Sequence, residues 1–327
     1  MSVMFTPARI GSLEVPNLIV RSATVESLAD AGGFVTPQLL RLYEELAGGQ
    51  IGLVVTGCSY IRKDGQSRAN QTGASDDAHI PGLRKLASAI RKFGQSRSSL
   101  TGVVPMAPSA VYNAYERQMP REMTLEDIRG VIEAYVQAAR RVSEAGFDAV
   151  QLHGAHGILL SQFLSARTNA RTDDYGGSTE NRTRIVREIL KRHREVNGDF
   201  PIFIKINCRD FVPGGIEADE AARIARILSE NGMDAIELSG GVAEVASKEM
   251  SRPKIDSEEK EGYFLPYAGP VREQMSVPLI LVGGFKSPNV IERVLNSAKA
   301  DLVAMCRPLI REPLLVKRWY DGDRQSA

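Results

Sequence analysis

The chain has 327 residues, of which 43% are hydrophobic and 25% charged, and its formal net charge is +1. This is the profile of a globular protein, and the near-neutral balance gives no electrostatic reason to expect nucleic acid or an anionic lipid surface as a partner. No apolar run approaches the roughly 20 residues needed to cross a bilayer, and the N-terminus lacks the basic-then-apolar pattern of a signal peptide.

In chain order, short apolar runs predict strands near residues 18–24, 51–57, 149–153, 202–207, 235–239, 279–282 and 302–305. None alternates strictly, as expected when both faces of a parallel sheet are covered. A third strand should fall between the helix around residues 81–93 and the helix starting at Thr124. Only residues 100–104 are available for it, so that strand reads as shortened or missing. Thr124 can cap the following helix with Asp127 three residues on. Leu125, Ile128, Ile132, Tyr135, Ala139 and Val142 then keep helical spacing, and Gly146 supplies the stop. A faint internal repeat aligns Glu144-Ala-Gly-Phe-Asp-Ala-Val-Gln-Leu-His-Gly154 with Glu230-Asn-Gly-Met-Asp-Ala-Ile-Glu-Leu-Ser-Gly240. Weaker copies occur at residues 300–306 and 51–57. Repeated strand-helix units of this length favour an α/β fold of the (β/α)8 TIM barrel type, whose chemistry sits at the C-terminal strand ends. The repeat places His153, Ser239 and Cys306 at equivalent ends. No linker-like segment divides the chain, so a single domain over residues 1–327 is expected. Cys58, Cys208 and Cys306 show no CxxC spacing and cannot all pair, which fits a reduced, cytoplasmic protein.

His153 and His156 lie three apart just past a strand. As a pair of imidazole donors they suit a carbonyl oxygen on which negative charge grows during hydride attack on a conjugated double bond. One could instead simply pack, and a zinc site is a further alternative, although no HExxH helix or cysteine pair accompanies them.

The stretch HGAHGILLSQFLSARTNARTDDYGGSTENRTRI, residues 153–185, resembles the old yellow enzyme family of FMN-dependent NAD(P)H oxidoreductases. Asn17-Leu-Ile-Val-Arg-Ser-Ala-Thr24, Pro120-Arg-Glu-Met-Thr124, Val282-Gly-Gly284 and residues 301–307 match as well, so the resemblance spans almost the whole chain. It implies an FMN-binding barrel in which His153 and His156 are catalytic. Ser22, Ala23, Thr24 and Cys58 would contact the flavin ring, and Lys205 would stand beside its pyrimidine edge. Gly283, Gly284, Cys306 and Arg307 would form the phosphate site. No G-x-G-x-x-G follows a strand, so NADH or NADPH and a small-molecule oxidant are expected to take turns at one site. Hydride would pass from nicotinamide to flavin N5 and on to an α,β-unsaturated carbonyl or related electrophile. A flavin-binding barrel with weak or no turnover, acting as an accessory module, and an aldolase using Lys205 as a Schiff-base nucleophile are the alternatives. A homo-oligomer is compatible with the sequence.

Three departures from the family pattern stand out. Ile158 replaces the usual proton-donating tyrosine, leaving water, Tyr112, Tyr115 or Tyr175 as donors. The third-strand segment that carries a flavin-contacting Gln is not recognisable. No cysteine cluster for an iron–sulfur centre follows the eighth unit. Val25 also replaces the Thr or Cys that tunes the flavin in many relatives.

Overall fold

The computed structural model describes residues 2–91, 96–101, 106–112, 119–245 and 249–327. Its centre is a closed parallel barrel of β1 (Ile19–Arg21), β2 (Leu53–Ser59), β3 (Ser96–Thr101), β4 (Ala149–Gly154), β5 (Ile202–Asn207), β6 (Ala235–Ser239), β7 (Leu279–Val282) and β8 (Leu302–Met305). Each strand pairs with the next in sequence, and β8 closes on β1 through Val303↔Ile19 and Ala304↔Val20. Closure leaves no sheet edge unpaired, which is why this architecture needs all eight positions filled.

Where the sequence reads a shortened or missing third strand, the barrel holds Ser96–Thr101. Ser96–Thr101 pairs with β2 through Leu53↔Ser96 and Val54↔Arg97, and with β4 through Ser98↔Ala149 and Thr101↔Leu152. Its sequence, Ser-Arg-Ser-Ser-Leu-Thr, holds no apolar run and begins four residues before the segment that hydrophobicity favours. Two flanking strands supply a complete backbone ladder, and ladder hydrogen bonds do not depend on side-chain type.

The strands alternate as a covered parallel sheet requires. Gln151, Lys205 and Glu237 point into the barrel and meet one another there. Val150, Leu152, Ile204, Ile206, Ile236 and Leu238 have the opposite parity and are buried. The outer ring includes α1 (Pro37–Gly48), α2 (Ile80–Arg91), α3 (Leu125–Glu144), α4 (Arg184–Asn197), α5 (Ala218–Glu230), α6 (Leu265–Glu273), α7 (Pro288–Asn296) and α8 (Leu315–Tyr320).

Helix α3 starts where its signals predict. Thr124 accepts from the Asp127 amide while Asp127 accepts from the Thr124 amide. Such a reciprocal cap contributes about 1 kcal/mol. Ile128, Ile132, Tyr135, Ala139 and Val142 are buried on its inner face, whereas Leu125 in the first turn is 46% exposed. The helix ends at Glu144, and Gly146 takes φ +85°, a conformation in which a side chain would be strained. An N-terminal hairpin, Ala8–Ile10 with Leu13–Val15, lies against the N-terminal strand ends, its Gly11 turn abutting Asp234 just before β6. The opposite, C-terminal ends are left for chemistry. Among the described residues, no helix is long and apolar enough to cross a membrane.

Candidate active site

The C-terminal ends of β1, β4, β5, β6, β7 and β8 converge on one cavity. Ser22, Ala23, His156, Lys205, Ser239, Tyr263, Gly284, Cys306 and Arg307 are among the residues that line it. Seven of these residues were expected from the sequence, and the barrel brings them together from distant segments.

Its floor is a buried charged cluster. Lys205 on β5 is 4% exposed and Glu237 on β6 is 0% exposed, and their register places them side by side. Lys205 Nζ lies 3.0 Å from Glu237 Oε1 and donates to Ser22 Oγ at 2.8 Å. Ser22 in turn donates to Glu237 Oε1 at 2.7 Å, and Gln151 Nε2 donates to Glu237 Oε2 at 2.9 Å. A lysine held by a carboxylate and a hydroxyl at these distances is an ammonium, not the free amine that a Schiff-base nucleophile needs.

Above β4, His156 lines the cavity, and His153 stands next to it outside the lining. The turn after β4 places His156 at φ +65° and Gly157 at φ +79°. It is pinned where the His156 amide donates to Asn207 Oδ1 at 3.1 Å. His156 Nε2 lies 2.8 Å from Ser239 Oγ, so two of the strand ends equated by the internal repeat touch. His153 sits beside it, ring centroids 5.1 Å apart and nearly perpendicular, and its Nδ1 is buried without a hydrogen-bond partner. Burial and then the Lys205 charge push the His153 imidazole down to about 3. Burial, His153 and Lys205 hold His156 well below its ordinary value. Both rings are therefore neutral at physiological pH, each offering one N–H donor.

The β7 and β8 ends form the other wall. Gly284 takes φ +77°, and a Cβ there would fall 2.7 Å from the Tyr263 ring. Gly283 accepts at its carbonyl from the Tyr263 amide, 3.1 Å away. Cys306 precedes a short helix, Arg307–Arg311, and its Sγ is 3.0 Å from Thr24 Oγ1. The Arg307 side chain is exposed and makes no ion pair among the described residues.

A phosphorylated, planar, electron-accepting group fits these features. The floor provides a buried cation and the rim a buried polar atom without a partner. One wall offers a glycine backbone with no Cβ of its own, packed on the Tyr263 ring, beside an exposed guanidinium suited to phosphate. The residues present therefore fit FMN.

Other expected residues fall outside this lining. Cys58 lies at the end of β2, with its thiol pushed up to about 12 by burial and the nearby Glu26 carboxylate. The Gln71 amide donates to its carbonyl at 3.1 Å. An Arg21–Glu26–Tyr43 cluster fixes the neighbouring strand ends. Arg21 donates to Val55 O and to Glu26, and the Tyr43 hydroxyl donates to Glu26 while accepting from the Gly57 amide. Tyr175 donates to Glu188 on α4 and is buried there, away from the cavity lining. Tyr112 is 55% exposed, and Tyr115 lies outside the described residues. Ile158 precedes the short helix Leu159–Leu164 and brings no proton donor.

Sequence reasoning missed Glu237, Gln151 and Tyr263. A signal for the first two was present, because the repeat puts Gln151 and Glu237 at equivalent positions, each a polar residue inside an apolar strand. Tyr263 follows no strand, and only the folded chain brings it onto Gly284.

The model of the NADH:flavin oxidoreductase / NADH oxidase family matches residues 3–325. An NADH oxidase from Thermoanaerobacter brockii is 34% identical over 98% of this chain and 51% of its own length, so the chain spans about half of that relative. An NADPH dehydrogenase from Geobacillus sp. (strain WCH70) is 34% identical over 95% of this chain and 92% of its own. The solved structure of 2-naphthoyl-CoA reductase with 2-naphthoyl-CoA superposes with a TM-score of 0.92 at 29% identity, covering 99% of this chain and 53% of that one. The chain belongs to the NADH:flavin oxidoreductase / NADH oxidase family.

Proposed function

We propose that the protein reduces the carbon–carbon double bond of an α,β-unsaturated carbonyl compound or a related electrophile. The observation that carries this reading is the pair of neutral imidazoles, His153 and His156, beside the cavity that holds Lys205. FMN held in the cavity would supply the hydride chemistry, with NADH or NADPH as the reductant.

The protein's own residues do the rest. His153 and His156 donate to the substrate carbonyl oxygen and stabilise the charge that builds there. Because both are neutral, they lose no proton to that oxygen as it becomes basic. Ser239 holds the His156 ring in place through the 2.8 Å contact to Nε2. Ser22, Ala23 and Thr24, after β1, and Cys58, at the end of β2, would face the flavin ring. Gly283, Gly284, Cys306 and Arg307 hold the phosphate. With Ile158 where a donor is expected, the proton for the α-carbon comes from water. The 2-naphthoyl-CoA reductase relative, whose named ligand carries a thioester carbonyl, supports a carbonyl-bearing substrate.

The test replaces each histidine with asparagine or alanine. Asparagine keeps an N–H donor, so alanine should lower enone turnover far more than asparagine while hydride uptake from NAD(P)H stays nearly unchanged. Equal turnover in all four variants contradicts the reading. A flavin-binding barrel with weak turnover is favoured by Ile158 alone, and an Ile158→Tyr variant separates it.

A further inference from the structure

Glu237 is a fully buried carboxylate that the reaction does not call upon. Both its oxygens are occupied by donors. Oε1 faces Lys205 and Ser22, and Oε2 accepts from Gln151. Gln151 turns its amide nitrogen to Glu237 although this leaves Oε1 buried without a partner. Three donors converging on one carboxyl group are the environment of an ionised acceptor.

Lys205 belongs to the cavity lining, so its charge bears on whatever the cavity holds. Two electrons and one proton taken up by FMN leave the reduced flavin one unit more negative than before. An uncompensated cation at the floor would favour that state. A carboxylate 3.0 Å from the cation turns it into a dipole whose field fades faster with distance. We propose that Glu237 is a positioning and tuning residue that neutralises Lys205 and so keeps the bound flavin a stronger reductant than the lysine alone would permit.

This inference rests on the assignment of FMN to the cavity. Its test uses FMN-loaded wild type, E237Q, E237D and the same E237Q change in a Lys205→Met background. The readouts are the flavin midpoint potential, by anaerobic equilibration with a reference dye, and sulfite affinity, by loss of the yellow absorbance. E237Q should shift the oxidised–reduced equilibrium at least tenfold towards reduced flavin, about 30 mV for a two-electron couple, and tighten sulfite binding. E237D, which keeps the charge but lengthens the gap, should move both readouts less in the same direction. Without Lys205 a buried Glu237 has no counter-ion and takes the neutral acid form, so E237Q should change little in that background. An unchanged or more negative potential in E237Q overturns the inference, as does an equal shift without Lys205. Should E237Q fail to hold FMN, E237D decides by the sign of its shift. Enone turnover is not among the readouts, so failure here is distinct from failure of the proposed reaction.

Discussion

Mild acid should destabilise the flavin-free protein through His153 and His156. In the unfolded chain each imidazole takes up a proton near its ordinary value of about 6.5. In the folded chain burial holds His153 down to about 3, and His156 well below its ordinary value. The unfolded state therefore binds more protons throughout this interval, and stability is lost as pH falls from about 6.5 towards about 3. At pH 5 the difference amounts to about 2 kcal/mol for His153 relative to neutral pH, and His156 adds a loss in the same direction. Urea unfolding of the wild type and of a His153→Gln/His156→Gln variant at pH 7, 6 and 5 measures it. The wild type should lose at least about 2 kcal/mol more than the variant on going from pH 7 to 5. The buried His193, also held low, is common to both and cancels. Parallel loss in the two proteins would mean that the site histidines titrate normally when folded, and the neutral-donor account would be refuted.

Removing either histidine's donor with alanine should lower enone turnover about 10²–10³-fold, the usual cost of one oxyanion-stabilising donor, read by steady-state kinetics. Gly284→Ala should weaken FMN binding, because it adds strain of about 1–2 kcal/mol at φ +77° and drives a methyl into the Tyr263 ring. Flavin titration of the apoprotein measures this, and an added Tyr263→Ala change should recover part of the loss. Ile158→Tyr should raise enone turnover, up to about 10²-fold where protonation limits the rate, without altering the rate of flavin reduction by NAD(P)H. An unchanged solvent isotope effect in that variant would place the proton transfer elsewhere.

The parts of this protein that were readable in its sequence are those where one local signal agrees with one structural demand. The Thr124–Asp127 cap, the apolar face of α3 and the Gly146 stop each follow from backbone chemistry within a few residues. The family resemblance, carried by residues 153–185 and by matches elsewhere in the chain, assigns His156, Lys205, Gly284 and Arg307 to one site, and the fold brings them to a common cavity. β3 was not readable, because Ser96–Thr101 forms its ladder with hardly any apolar side chains, and its position is imposed by the two strands it joins. Leu125 shows the opposite error, a residue in phase with the buried face but too near the helix start to reach the core. The Lys205–Glu237–Gln151–Ser22 cluster needed the folded barrel, since register sets Lys205 beside Glu237 on neighbouring strands and closure brings Ser22 across from β1. The repeat hinted at it by pairing Gln151 with Glu237, but alignment within a repeat does not state contact across a barrel.

The central claim is that this cavity holds FMN and passes hydride from a nicotinamide to a conjugated carbonyl compound. The most direct measurement is an anaerobic spectral titration of the purified, FMN-reconstituted protein. The account predicts a yellow protein that NADH or NADPH bleaches, and whose colour an enone such as 2-cyclohexenone restores in a stoichiometric amount. A protein that cannot be loaded with FMN would contradict the site. A bleached protein whose colour returns only on admission of oxygen, across a panel of enones and acyl thioesters, would contradict the proposed reaction.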